Sequence, residues 1–261
     1  MTFVLVGLAA LGASALTLFS GFGLGTLLLP VFALFFPIRV AVAATAVVHV
    51  LNNLFKLALL RRHVEWRVVV AFGIPAALAA FPGAWLLGVL PARPWLTWHW
   101  GARSFEVTPV GVVMGFLILG FAALELVPSA RRWRAPEAAL PWGGALSGFF
   151  GGLSGNQGAL RAAFLGPLGL PPTRFAATQA MIACLVDGAR LAVYGAGFLG
   201  THALATSTGG SWPLVATATA AAFVGAWLGT RFLPRVTLGF VRGLTAALLV
   251  VVGLGLATGL V

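Results

Sequence analysis

The stretch Gly151-Gly-Leu-Ser-Gly-Asn-Gln-Gly158 decides how the fold is read. It interrupts an apolar run that extends over 140–170. Unpaired backbone N–H and C=O groups are costly in hydrocarbon, so irregular backbone at that depth must face protein or a wet cavity. A second interruption, Ser20-Gly-Phe-Gly-Leu-Gly25, divides the run over 3–36 in a corresponding place. The remaining apolar runs lie at 40–60, 68–90, 107–127, 175–198, 212–233 and 238–261. Each holds about 21–24 residues, the length that crosses a hydrocarbon core about 30 Å thick. Connectors such as Arg61-Arg62-His63, Pro91–Pro94 and Arg131-Arg132-Trp133-Arg134-Ala135-Pro136 are short and rich in Arg or Pro.

Composition agrees with that pattern. Of 261 residues, 60% are hydrophobic and only 8% are charged, and the mean hydropathy is +1.03. A soluble domain carries about 25% charged residues. An ordinary soluble enzyme, a disordered chain and a disulfide scaffold are therefore excluded. Continuous apolar runs also exclude a β-barrel, whose strands alternate. The net charge of +11 is carried by Arg residues scattered between the runs, with no basic face or tail, so nucleic acid is not an expected partner. A single cysteine, Cys184, leaves no internal disulfide. The start, Thr2 to Leu18, has no basic leader and reads as membrane segment rather than as a cleaved signal. Trp66, Trp95, Trp98, Trp100, Trp133, Trp142 and Trp212 sit at segment ends, as an interfacial aromatic belt does.

The two breaks point to an internal duplication, residues 1–135 and 136–261. At one constant offset Ser20-Gly21 falls on Ser154-Gly155, Pro37 on Pro171, Asn53 on Asp187, Lys56 on Arg190 and Leu57-Ala58 on Leu191-Ala192. After a longer loop in the second copy, Phe81-Pro-Gly-Ala-Trp85 matches Phe223-Val-Gly-Ala-Trp227. Internal repeats of this kind are common among transporters.

Two all-α polytopic layouts follow. If each broken segment spans once, the chain has eight spans in parallel repeats, and loop charges divide seven against six. If each broken segment is a re-entrant hairpin, each repeat is one hairpin plus three transmembrane helices, and the repeats are inverted. One side then holds Arg39, Arg93 and Arg103. The other holds Arg61, Arg62, Arg67, Arg131, Arg132, Arg134, Arg174, Arg231, Arg235 and Arg242. That asymmetry is what the positive-inside rule expects, so the inverted layout is preferred, with both termini on the non-cytoplasmic side.

A helix that starts in mid-membrane aims unpaired N–H groups and a positive dipole end at whatever lies there, which suits an anion. The candidates are Gly21, Gly23, Gly25 and Thr26 in the first copy and Ser154, Gly155, Asn156, Gln157 and Gly158 in the second, with Arg161 one turn on. The plainer alternative is that the glycines only permit close helix packing. Inside the spanning runs lie His49, Asn52, Asn53 and Lys56 in 40–60, and Thr178, Gln179, Asp187 and Arg190 in 175–198. Asp187 and Arg190, three apart, share a helix face. Charges at such depth usually face the interior and work. Lys56 snorkelling to the interface and a structural Asp187–Arg190 pair remain the bland alternatives. Thr45 adds a weaker hydroxyl candidate. No metal ligand set or cofactor motif is present, so none is expected.

Gly152-Leu-Ser154-Gly155 also fits the G-x-S-G of rhomboid intramembrane serine proteases, with His202 as a base and His49/Asn53 as oxyanion helpers. The usual Ala-His pair of that family is Thr201-His202 here, and rhomboids have no inverted duplication.

The order Gly-Phe-Gly-Leu-Gly25, Leu-Leu-Pro30, Pro37, Ala-Thr45, Asn53 and Trp66, followed in the second half by Ser147-Gly-Phe-Phe-Gly-Gly152, Pro171 and Ala-Thr178, resembles the TauE/SafE sulfite-exporter family of bacterial membrane permeases. The resemblance covers nearly the whole chain. It implies a multi-pass protein of the bacterial inner membrane that transports sulfite, thiosulfate or organosulfonate. Asn156-Gln157-Gly158 and Arg161 stand where the commonest family pattern has a further Gly-Gly. The expected partners are a small sulfur-containing anion and the lipid bilayer, with coupling to protons or another ion and a homo-oligomeric state left open. An anion channel with the same site is a further alternative.

Overall fold

The computed structural model of the chain describes residues 2–20, 24–101, 103–126, 136–197, 211–232 and 238–260. Gly21, Gly23, His202 and the Arg131–Arg134 connector fall outside them. The elements in chain order are α1 (Thr2–Ser20), α2 (Leu24–Ala33), α3 (Ile38–Leu60), α4 (Trp66–Val89), β1 (Leu96–Trp100), β2 (Arg103–Val107) and α5 (Pro109–Leu126), then α6 (Leu140–Ser154), α7 (Gly158–Leu165), α8 (Pro172–Ala196), α9 (Ser211–Phe232) and α10 (Leu238–Thr258). Among the described residues α3 with its following 3-10 turn (Ile38–His63), α4 and α8 are long and apolar enough to cross a membrane.

Pro37 precedes α3 and Pro171 precedes α8, and both are extended, with ψ of 141° and 144°. Proline presets the first helical turn and needs no N–H there, so both helices begin where the sequence puts a proline. α4 carries a π-helical turn at Val69–Gly73, which ends two residues before Pro75. Pro75 cannot donate to the carbonyl one turn back and its ring crowds it, which is a sufficient cause of the widened turn.

The second break is shorter than the sequence suggests. Gly151 to Ser154, expected in the irregular stretch, remain helical, and the chain leaves the helix only at Gly155, whose φ is +78°. The reason lies in packing. A Cβ at Gly144, Gly148 or Gly152 would overlap the carbonyl oxygen of Phe72, Ala76 or Ala80, so α6 lies against α4 with backbone almost on backbone. Small residues four apart on both helices allow that approach. These glycines serve helix contact, and only Gly155 needs the left-handed conformation that glycine adopts freely. α6 and α7 have 15 and 8 residues, about 22 and 12 Å as helix, each short of a 30 Å core.

The helix contacts come in matched pairs. α4 packs on α6, and α9 packs on α1; α4 also packs on α8, and α9 on α3. α3 meets α8, and α5 meets α10. A Cβ at Gly83 of α4 would overlap the carbonyl of Phe149 in α6, and one at Gly225 of α9 the carbonyl of Leu11 in α1.

One connector is not a plain loop. Leu96–Trp100 and Arg103–Val107 pair as an antiparallel hairpin, with Gly101 turning at φ +62°. The all-α expectation therefore holds for the apolar helices and not for this excursion. Thr, Trp and Val suit strands, and Gly101 opens the turn. Trp98 stacks on Phe105 with ring centroids 4.6 Å apart, and its indole N–H donates to Thr258 O at 2.7 Å, tying the hairpin to the end of α10. Trp95, Trp100, Trp66 and Trp142 are exposed.

Candidate anion-binding site

The polar interior is built from α3, α6, α7 and α8. α3 and α8 face each other, and their buried polar residues meet at that face. The carboxylate of Asp187 is held from two sides: Nδ1 of His49 lies 2.6 Å from Oδ2, and Arg190 reaches Oδ1 through Nε at 2.9 Å and Nη2 at 2.7 Å. Asp187 and Arg190 are fully buried and His49 nearly so. Arg190 then points onward to the break. Its Nη1 lies 3.4 Å from the carbonyl oxygen of Gly151, and a Cβ at Gly155 would sit 2.7 Å from that Nη1. Gly155 is thus required twice, by its φ and by the guanidinium beside it. Tyr194, one turn beyond Arg190, donates its hydroxyl hydrogen to the carbonyl oxygen of Gly152.

The tip itself spans Ser154 to Gly158. Ser154 Oγ donates to Phe150 O at 2.9 Å and accepts from the Asn156 N–H at 3.3 Å. Ser147 Oγ donates to Gln157 O at 3.3 Å. These bonds fix the backbone of the turn without engaging the amides of Asn156 and Gln157. Both amide atoms of Asn156 and both of Gln157 are buried and have no partner among the described residues. The same is true of Gln179 Nε2, Thr45 Oγ1 and Arg161 Nε. Arg161 is buried within α7, where Nη1 contacts Gln179 O at 3.2 Å and Nε has no partner among the described residues. No side chain caps α7, so its first backbone N–H groups face the same region.

A buried polar atom left unpaired costs about 1–3 kcal/mol, and native interiors contain few of them. Here several gather at one helix start beside excess positive charge. Among the described residues Lys56, Arg161 and Arg190 are buried cations and Asp187 is the buried carboxylate. Arg161 lies within electrostatic reach of Lys56, Asp187, His49 and Cys184. With the Asn52 amide turned to satisfy both its ends, its oxygen accepts from Lys56 Nζ at 3.2 Å and its nitrogen donates to Ser14 Oγ at 3.1 Å. The arrangement offers donors and positive charge to a small anion.

The structure therefore brings together Ser154, Gly155, Asn156, Gln157, Gly158, Arg161, Gln179, Asp187, Arg190 and His49, with Lys56 in electrostatic range. Two further candidates point elsewhere. Thr178 Oγ1 accepts the Glu65 N–H at 2.9 Å and braces the α3–α4 turn. Asn53 donates to His49 O, the carbonyl one turn back in its own helix, at 2.9 Å. Gly25 and Thr26 lie in α2, close to the first break. Sequence reasoning missed Ser147 and Tyr194. Tyr194 is the only tyrosine in the chain and stands four residues after Arg190, which was its available signal.

The sequence pattern of the family described as sulfite exporter TauE/SafE matches residues 6–256. No curated relative and no solved structure matches the chain. The match runs through both halves and includes every residue of the cluster above. The chain belongs to the sulfite exporter TauE/SafE family, whose members are integral membrane transporters of sulfite or related anions.

Proposed function

We propose that the protein carries a small sulfur-containing anion, sulfite, thiosulfate or an organosulfonate, across the bacterial inner membrane by alternating access. The anion is held at the start of α7 by the Asn156 and Gln157 amides, the opening N–H groups of α7, Gln179 Nε2 and Arg161, and the Asp187–Arg190–His49 network holds the tip in shape. The observation that carries this reading is the set of buried, unpartnered donors around Asn156 and Gln157 beside uncompensated positive charge. An anion satisfies both at once.

The working layout is two inverted repeats, 1–135 and 136–261, each a broken-helix hairpin and three spanning helices. Two observations support the duplication and a third supports its inversion. The helix contacts pair off as a twofold relation requires, α1–α9 with α4–α6 and α3–α9 with α4–α8. The aligned Gly83 and Gly225 perform the same close approach in the two halves. Arg174 pairs with Glu65 at 3.1 Å, and Arg67 with Glu137 at 3.1 Å, which suits one face bearing all four. Eight single spans would separate residues 65 and 174 by the membrane.

The protease alternative finds less support. Ser154 Oγ donates to Phe150 O and accepts from the Asn156 N–H, and among the described residues it makes no hydrogen bond to His49. A nucleophilic serine needs a histidine within hydrogen-bond reach.

The test is flux in proteoliposomes. Purified protein is expected to move sulfite or thiosulfate, and Arg161→Met to abolish that movement. Absence of flux for sulfite, thiosulfate and methanesulfonate, together with labelling of Ser154 by a serine-directed probe, would overturn the transporter reading. Flux that continues at channel rates with no saturation would replace alternating access by a channel.

A further inference from the structure

We propose that the site at the start of α7 selects doubly charged oxyanions over singly charged ones, with Lys56 setting that selectivity. The inference rests on the anion-site reading above. It follows from counting buried charge. Among the described residues, Lys56, Arg161 and Arg190 are the buried cations of the cluster and Asp187 is the buried carboxylate, so three positive charges face one negative. The Asp187 carboxylate is fully engaged, one oxygen with His49 and the other with Arg190. With His49 neutral the excess is two positive charges, and a protonated His49 only increases it.

Where that excess lies matters as much as its size. Arg190 is neutralised by direct contact with Asp187. Arg161 and Lys56 have no carboxylate contact among the described residues: Arg161 touches the carbonyl of Gln179, and Lys56 the side-chain oxygen of Asn52. Lys56 is carried by α3, which packs on α8, and Arg161 reaches α8 through the Gln179 carbonyl, so both are buried at that helix contact. A monoanion beside Arg161 leaves the charge of Lys56 buried and uncompensated. A dianion neutralises both. A buried charge left without a partner is strongly destabilising, so a second negative charge that pairs Lys56 removes a cost that a monoanion leaves in place. The donors fit such a ligand. The amides of Asn156, Gln157 and Gln179 and the opening N–H groups of α7 supply separate hydrogen bonds for three or four oxygens.

Lys56 is then a specificity-determining residue. Its plainer role would be snorkelling to the membrane surface. Its burial against Asn52, which also holds Ser14 of α1 and the Ala222 carbonyl of α9, opposes that outcome.

The experiment is a binding titration on the full chain in lipid nanodiscs at constant ionic strength, read by thermal shift and calorimetry. The probes are thiosulfate and sulfate, which are dianions, and methanesulfonate and nitrate, which are monoanions. Thiosulfate is expected to bind at least about tenfold more tightly than methanesulfonate. Sulfite, which loses its second proton near neutral pH, should bind more tightly at about pH 8 than at about pH 6, after correction by thiosulfate, whose charge does not change over that range. Lys56→Met should pull the thiosulfate-to-methanesulfonate ratio toward one while methanesulfonate still binds. Equal binding of the two anions by the wild-type protein would overturn the proposal, as would an unchanged ratio in Lys56→Met. Should the variant fail to fold, the wild-type comparison decides alone. If none of the four probes binds, the anion site itself is wrong, a failure distinct from loss of selectivity.

Discussion

Nδ1 of His49 and Oδ2 of Asp187 stand 2.6 Å apart across the α3–α8 contact, although 138 residues separate them in the chain. The bond links α3 of the first half to α8 of the second at a buried point. It also gives Asp187 two partners, so that its charge is shared between a residue of the first half and Arg190 of its own helix. Asp187 is therefore expected to be the residue whose loss costs most. Asp187→Asn preserves shape but leaves Arg190 buried without its counter-charge, which costs about 3–5 kcal/mol. Thermal unfolding in detergent should show a fall of that order. His49→Ala should cost less in the Asp187→Asn background than in the wild type, because the two residues share one interaction.

Arg161 should behave in the opposite way. Its guanidinium is buried with one hydrogen bond to a carbonyl and no carboxylate contact among the described residues. Removing an unpaired buried charge relieves the empty protein, whereas it deprives an anion of its main counter-charge. Arg161→Met is expected to melt at the same temperature as the wild type or higher without anion, and to lose the thermal shift that sulfite or thiosulfate produces. Charged hydrogen bonds are worth about 1.5–3 kcal/mol each, so affinity should fall at least about tenfold. A variant that melts far below the wild type would show instead that Arg161 is structural.

The glycine stripe of α6 predicts a different failure. A Cβ at Gly148 would collide with the backbone of Ala76, and neither side has a flexible atom to move. Gly148→Val should therefore force α6 and α4 apart, costing about 1–3 kcal/mol or more by overpacking. Gly120→Ala offers the control, since a Cβ there meets nothing within 4 Å. That substitution also favours helix, so it should leave stability unchanged or raise it slightly. Parallel melting curves of the two variants check both statements.

Much of this site is visible in the residues alone, and the part that is not has a physical cause. His49, Lys56, Asp187 and Arg190 stand out because charge and imidazole are rare in apolar runs. Asn156, Gln157 and Arg161 stand out because packing alone would not choose them beside glycines. What no local pattern shows is which of them meet. His49 joins Asp187, whereas Asn53 turns back to its own helix and Thr178 to the Glu65 turn, because helix rotation decides those pairings. The length of the break was overestimated for a related reason. Glycines that look like breakers stay helical when a neighbouring helix occupies the space of their missing side chains. The hairpin at 96–107 escaped because its strands are five residues each, too short for periodicity to separate from a loop.

The layout of the two halves yields the last prediction. Glu65 and Arg174 touch at 3.1 Å, and Arg67 and Glu137 do likewise, whereas the Trp98 indole bonds Thr258 at the end of α10. Residues 63, 137 and 173 should then open to one side of the membrane and residues 99 and 104 to the other. In a Cys184→Ser background, single cysteines at His63, Glu137 and Thr173 are expected to react with a membrane-impermeant maleimide from the cytoplasmic side only. Cysteines at His99 and Ser104 should react only from outside. The surface ion pairs can be tested separately without disturbing this result, since exposed pairs contribute only about 0–1 kcal/mol and their removal should leave the labelling pattern intact. Labelling of positions 63 and 173 from opposite sides would require the hairpins to span once each, and the shared anion site at the meeting of the halves would then lose its geometric basis.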